Sequence, residues 1–386
     1  MNRAPQLCMF VGVVFLATTA IRLSGQDSSV GNREDGKQLF ERETFGGNGR
    51  TCLTCHSSET GTVSPEDAQM RFLDDQDDPL FLHDGSDDGL GNGITRMLSD
   101  ATILMELALP ANVELGDDPD AGSVILARGI PTTLNTPALD PVLMVDGRKS
   151  SLQAQAASAI ADHAQATLVP TAKQLDRIAE FQKTDAFFSS QALRDFARGG
   201  PAPGLPRGRT ASEKRGRRFF QDVPPDPADG FRSGLCAHCH SGPLMNQTNE
   251  FAPDFTGLPI PAGQRFSNVL VSELNFAGNP VRDFVFTNPD GTTTTISSPD
   301  PGRALFTGVS SDTVIDGLPI FDNVNAFKIP QLRGIRHTGP YFHDNNAKTL
   351  EDVVAHYTVF FAIVSNGTLI LTEQDAADIV AFMKLL

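Results

Sequence analysis

The sequence predicts a mainly α fold of two helical domains in tandem, each built around one C-x-x-C-H word, with a small β-hairpin in the second. Three observations predict it. The words Cys52-Leu-Thr-Cys55-His56 and Cys236-Ala-His-Cys239-His240 use every cysteine of the chain except Cys8. Each follows a G-x-x-x-F segment, Gly36 to Phe40 and Gly216 to Phe220, after a loop of variable length. Between the two copies, Gly199-Gly-Pro-Ala-Pro-Gly-Leu-Pro-Arg-Gly208 interrupts any regular structure.

The five-residue word is the attachment signature of a c-type haem. Two thiols one helical turn apart can add to the vinyl groups on one porphyrin edge, and the next imidazole becomes the proximal iron ligand. The expected donor sets are Cys52, Cys55 and His56, and Cys236, Cys239 and His240. A four-thiolate zinc site made from both pairs is the rival. The distance between the pairs, the His after each and the signs of export argue against it. In G-x-x-x-F the two residues share a helix face. Glycine admits a second helix and Phe packs against the haem edge, as in a cytochrome c-like domain.

The expected organisation is a secretory signal over 1–25, a first cytochrome c-like domain over 27–198, a linker over 199–208 and a second domain over 209–386. Arg3, an apolar run from Leu7 to Ala20 and small residues after it mark the signal. That places the protein in the periplasm and removes Cys8. A net charge of -16 argues against nucleic acid and anionic membranes as partners. It suits a small basic redox protein, or serves solubility alone.

Within the first domain, Asp74 to Asn92 reads as an acidic, Gly-rich, solvated loop; its partial calcium-loop pattern carries Thr95 where Glu is required. Helices are expected over Thr102–Leu109, Ser151–Asp162, Thr171–Phe181 and Asp185–Ala197. In the second domain, Arg282–Thr287 and Thr292–Ser297 flank Asn288-Pro-Asp-Gly291, a hairpin pattern. Capping patterns at Thr349-x-x-Asp352 and Thr372-x-x-Asp375 open the last two helices. The final helix is expected to pack on the 212–220 helix. Leu350, Val353, Val354 and Tyr357 form one inward stripe. Its phenol is either a haem-iron ligand or a core tyrosine bonded to a carbonyl.

The chain resembles the bacterial di-haem cytochrome c peroxidases, including MauG, from about Gly36 to the C-terminus. Besides the two haem words, the resemblance rests on Pro131-Thr-Thr-Leu-Asn135, Asp146-Gly-Arg148, Lys328-Ile-Pro-x-Leu-Arg333 and Pro340-Tyr-Phe-His-Asp344. It implies a peroxide site at the first haem and an electron-transfer haem in the second domain, with Tyr357 as that haem's distal ligand. It implies electrons from an exported cytochrome c or cupredoxin, a variant oxidising a protein or organic substrate, and room for a homodimer. Calcium held through the backbone of Thr338 and Pro340 is also implied, although the position of the family's Asn ligand is Gly129 here.

The sequence also departs from that pattern. On the distal side of the first haem Gln155 matches, but Ala159 replaces a Pro and Gln165 replaces the Glu expected to shuttle the proton. An amide cannot do this, which turns attention to Asp162 and His163. Val145 stands where a Trp normally lies between the haems. No His lies between Val113 and Ile130 to close the first haem, and His83 upstream reads as solvated. His343 is expected to order the domain interface near the first haem, and His337 and His356 to be structural. A non-catalytic di-haem electron-transfer cytochrome is the competing function.

Overall fold

A computed structural model describes residues 35–251, 260–274 and 278–386. The expected signal segment lies outside them. Among the described residues no helix is long and apolar enough to cross a membrane.

The two G-x-x-x-F segments do the same work in both halves. Residues 35–42 are helical, and a Cβ on Gly36 would lie 2.2 Å from the Arg177 carbonyl oxygen on the helix Ala172–Thr184. In the helix Ala211–Phe219, a Cβ on Gly216 would lie 1.8 Å from the Asp378 carbonyl oxygen on the helix Glu373–Met383. Only glycine permits helix axes this close. The neighbouring aromatic rings then meet: Phe40 packs on Phe181, Phe187 and Phe188, and Phe220 on Phe382. The final helix thus packs where the pattern placed it, and it ends at Met383.

Both C-terminal capping boxes form, with Asp352 and Asp375 carboxylates accepting from the backbones of Thr349 and Thr372. Helices Leu152–Asp162 and Ala172–Thr184 follow the expected ones closely, whereas the helix expected over Asp185–Ala197 begins only at Gln191, capped by Ser190, with turns within 185–190. Thr102–Leu109 does not. Residues Thr102–Ala108 form a strand, antiparallel to Ser123–Gly129, with buried and open positions alternating. Leu, Met, Glu and Ala would serve a helix as well. Ala101 in the left-handed region ends the helix Thr95–Asp100, and the waiting partner strand decides the next segment.

The expected hairpin is present, Arg282–Thr287 with Thr293–Ser298. It is not an appendage of the second half. Val113–Leu115 adds to its edge as a third strand. Phe284, Phe286 and Ile296 share one core with residues 63–130 of the first half. A second core gathers Phe40, Phe45, Ile160 and Phe181 beside the first haem word. A third, from Phe219 to Met383, surrounds the second.

A buried ion cluster explains Asp146-Gly-Arg148. Arg128 grips Asp300 with two nitrogens at 2.7 and 2.8 Å and Asp146 with a third at 2.6 Å, and Arg148 returns to Asp146 at 2.8 Å. Strand, loop and hairpin end are thereby joined with their charges compensated.

Candidate functional site

Both words adopt a short helical turn, Cys52–Cys55 and Cys236–His238. In each, the following imidazole has Nδ1 against a carbonyl five residues on, His56 with Gly61 at 2.8 Å and His240 with Met245 at 3.0 Å. Such a bond fixes ring and tautomer and leaves Nε2 for a metal. Burial lowers both imidazole pKa values and raises those of the thiols, Cys52 to about 12 and Cys239 to about 11. Neutral imidazoles and neutral thiols suit a proximal ligand and thioether linkage.

Beside the second word lies a cavity of about 480 Å³, lined by Cys236, Cys239, His240, Leu332, Tyr357 and Met383 among others. Its mainly apolar lining around Cys236, Cys239 and His240 fits a large apolar group held through these residues. Tyr357 projects into it from the helix Leu350–Val364. Its phenol is buried and its pKa is raised by desolvation and by the Cys239 and Cys236 sulfurs. Among the described residues no hydrogen bond to this hydroxyl is found. The carbonyl-bonded core tyrosine is Tyr341, which donates to Ile335 at 3.0 Å.

The pocket at the first word is smaller, about 70 Å³, and is lined by Cys52, Cys55, His56, Phe40, Gln155, Ala159 and His163. The donor set fits a haem, but the enclosed space falls below the roughly 300–1,000 Å³ of ordinary cofactor sites. A ring seated there has to lie partly outside the enclosed space.

The structure separates the distal candidates. Gln155 and His163 face this pocket. Gln165 does not: it is exposed, its backbone is left-handed with φ 49°, and its side-chain oxygen accepts from Asn48. Asp162 is exposed and accepts from Ser158. The acidic loop is only partly solvated. Asp84 within it is buried, its Oδ2 is 2.6 Å from His163 Nδ1, and Arg50 donates to its other oxygen. Burial works against this carboxylate, yet His163 and Arg50 together hold its pKa below the ordinary range. Neither composition nor periodicity marked Asp84 or Arg50; only the loop's return path brings them in.

His343 lines the larger cavity rather than the first pocket. It stacks on Phe327 with ring centroids 3.6 Å apart, and its Nε2 lies 3.8 Å from Asp300. Phe327 stands next to Val145 through the bond from Lys328 N to the Val145 carbonyl, 2.7 Å. An aromatic ring thus reaches the neighbourhood of the missing Trp from another strand. His356 Nε2 is bonded to the Val269 carbonyl and His337 Nε2 accepts from Arg336. Thr338 and Pro340 line the larger cavity. A Cβ on Gly129 would lie 2.1 Å from Asn345 Oδ1, and the Asn345 amide nitrogen already donates to the Asp100 and Ala101 carbonyls. The space a longer side chain at position 129 would take is therefore filled by the Asn345 side-chain amide, whose nitrogen is held by these carbonyls.

No protein-family model matches the chain. It is 31% identical over 177 residues to the hydrazine synthase subunit gamma of Kuenenia stuttgartiensis, 46% of this chain and 41% of that protein. It is 38% identical over 69 residues to the cytochrome-c peroxidase IdrP1 of Denitromonas iodatirespirans, 17% of this chain and 18% of that protein. The chain thus spans less than half the length of these curated relatives. Among solved structures, a MauG-like protein associated with microbial copper homeostasis superposes with a TM-score of 0.48 at 18% identity, covering 92% of this chain and 88% of that one. The diheme peroxidase BthA from Burkholderia thailandensis gives 0.46 at 14% identity, covering 92% and 85%. The sequence relatives of this two-C-x-x-C-H chain thus include a cytochrome-c peroxidase and a hydrazine synthase subunit, each matched over only part of its length.

Proposed function

We propose that this protein is an exported, periplasmic di-haem c-type peroxidase that reduces hydrogen peroxide with electrons from a small cytochrome c or cupredoxin. One observation carries the reading: one pocket is lined by Cys52, Cys55 and His56 together with the polar residues Gln155 and His163. Cys52, Cys55 and His56 would hold a haem there, whose iron would bind and polarise peroxide. Gln155 would orient the peroxide oxygens by hydrogen bonding, and His163 would move the proton between them. Cys236, Cys239, His240 and Tyr357 would hold the second haem, where an anionic oxygen ligand would favour ferric and higher states. That ligand supports the variant in which the oxidised enzyme withdraws electrons from a protein or organic substrate. Calcium at Thr338 and Pro340 stays outside the proposal.

The exposed Gln165 favours a second reading, a di-haem electron carrier that has lost its shuttling carboxylate. Stopped-flow absorbance after equimolar peroxide, on diferric and half-reduced protein, separates the two. Loss of the ferric Soret band within seconds, with peroxide consumed, is expected. A spectrum unchanged over minutes in both redox states leaves only the electron carrier.

A further inference from the structure

The first pocket is served by a buried relay that haem attachment does not require. Arg50 precedes Cys52 by two positions and is 2% exposed; Asp84 is 4% exposed. Arg50 donates to Asp84 and to the carbonyls of Pro79, Leu80, Leu82 and His163, so its charge is fixed in place. The remaining Asp84 oxygen meets His163 Nδ1 at 2.6 Å. His163 is held from the backbone side too, its carbonyl accepting from Asn48 Nδ2 at 3.0 Å. His163 is among the residues that line this pocket together with His56.

An ionised carboxylate can only accept, so the His163 Nδ1 proton is directed at Asp84 and Nε2, across the ring, points away from it. No hydrogen bond to Nε2 is found among the described residues.

We infer that Asp84, held by Arg50, is a positioning residue that presents His163 Nε2 to the first pocket as the proton-transfer group, in place of the carboxylate that Gln165 lacks. The inference rests on the peroxidase reading above. Nε2 accepts the proton of one peroxide oxygen and returns it to the other as the O–O bond breaks. With two further protons from water and two electrons from the redox donor, H2O2 + 2 H+ + 2 e− gives 2 H2O.

The test uses the haem-loaded protein with His163→Leu and Asp84→Asn. Carbon monoxide bound to the reduced protein is the first probe, through its infrared C–O stretch. His163→Leu should move the band, because the polar group facing the ligand is gone. Asp84→Asn should add a second band, because an amide supports both tautomers. The second-order rate with peroxide should fall about 10²- to 10⁴-fold in His163→Leu. In Asp84→Asn it should fall at least about tenfold, since a misoriented or wrongly protonated imidazole transfers protons poorly. Asp84→Asn leaves Arg50 buried and uncompensated; where that variant does not fold, His163→Leu, which keeps the ion pair, decides alone. Unchanged bands and peroxide rates within twofold of the parent would overturn the inference and leave the peroxidase reading standing. A parent protein that ignores peroxide would overturn that reading, while the C–O band would still report whether His163 faces the ligand.

Discussion

Tyr357 and Tyr341 are the only tyrosines of the chain, and their surroundings assign them different work. Tyr341 spends its hydroxyl on the Ile335 carbonyl, so Tyr341→Phe should cost about 1 kcal/mol in urea unfolding and leave the haem spectra alone. Tyr357 faces the cavity beside Cys236 and Cys239, where burial alone would keep it protonated. A ferric ion there reverses that preference. Tyr357→Phe should abolish a phenolate-to-iron charge-transfer band and raise the second haem's potential in spectroelectrochemistry; no change in either would remove Tyr357 as ligand. Asp344 offers a pH prediction. Burial lifts its pKa to about 7, well above the ordinary carboxylate value of about 4. Its folded value lies above the unfolded one, so its contribution to stability is complete below pH 4 and is lost as pH rises to about 7. Asp344→Asn escapes this loss. Its stability relative to the parent should therefore improve between pH 4 and 7 and level off above, by about 2–4 kcal/mol in urea titrations.

At the scale of elements, the helix pairs at Gly36 and Gly216 are the most demanding contacts. A methyl at Gly216 meets both the Asp378 carbonyl and the Phe382 Cβ, and backbone cannot yield as a side-chain tip can. Gly216→Ala should lower stability by about 1–3 kcal/mol or more and reduce the midpoint of thermal unfolding measured by circular dichroism. These helices were legible in the sequence because glycine, Phe and the capping boxes are local signals. The strand Thr102–Ala108 was not. Its residues suit either state, and the edge of Ser123–Gly129 arrives from twenty residues later. The acidic loop was half legible. Asp87 and Asp88 do lie in water, but the 3-10 turn at His83–Gly85 folds Asp84 inward against Arg50.

For the whole molecule, the Arg128 cluster is where the halves are coupled. Arg128 belongs to a strand of the first half, while Asp300 follows the hairpin of the second. Arg128→Leu leaves buried Asp300 without its cation and Asp146 with Arg148 alone, and should cost about 3–5 kcal/mol, read as a lower urea midpoint. The sequence by itself determined what depends on neighbours in the chain. These are the two attachment words, the helices ahead of them, the caps, the hairpin, and the stripe that aims Tyr357 inward. The tertiary structure alone decided what depends on segments that meet across the fold. It joined Val113–Leu115 to the hairpin, brought Phe327 and His343 beside Val145, turned Gln165 outward, and set Asp84 behind His163. The physical reason is range: periodicity and capping act within a few residues, whereas a buried carboxylate finds its cation only after the chain has closed around both.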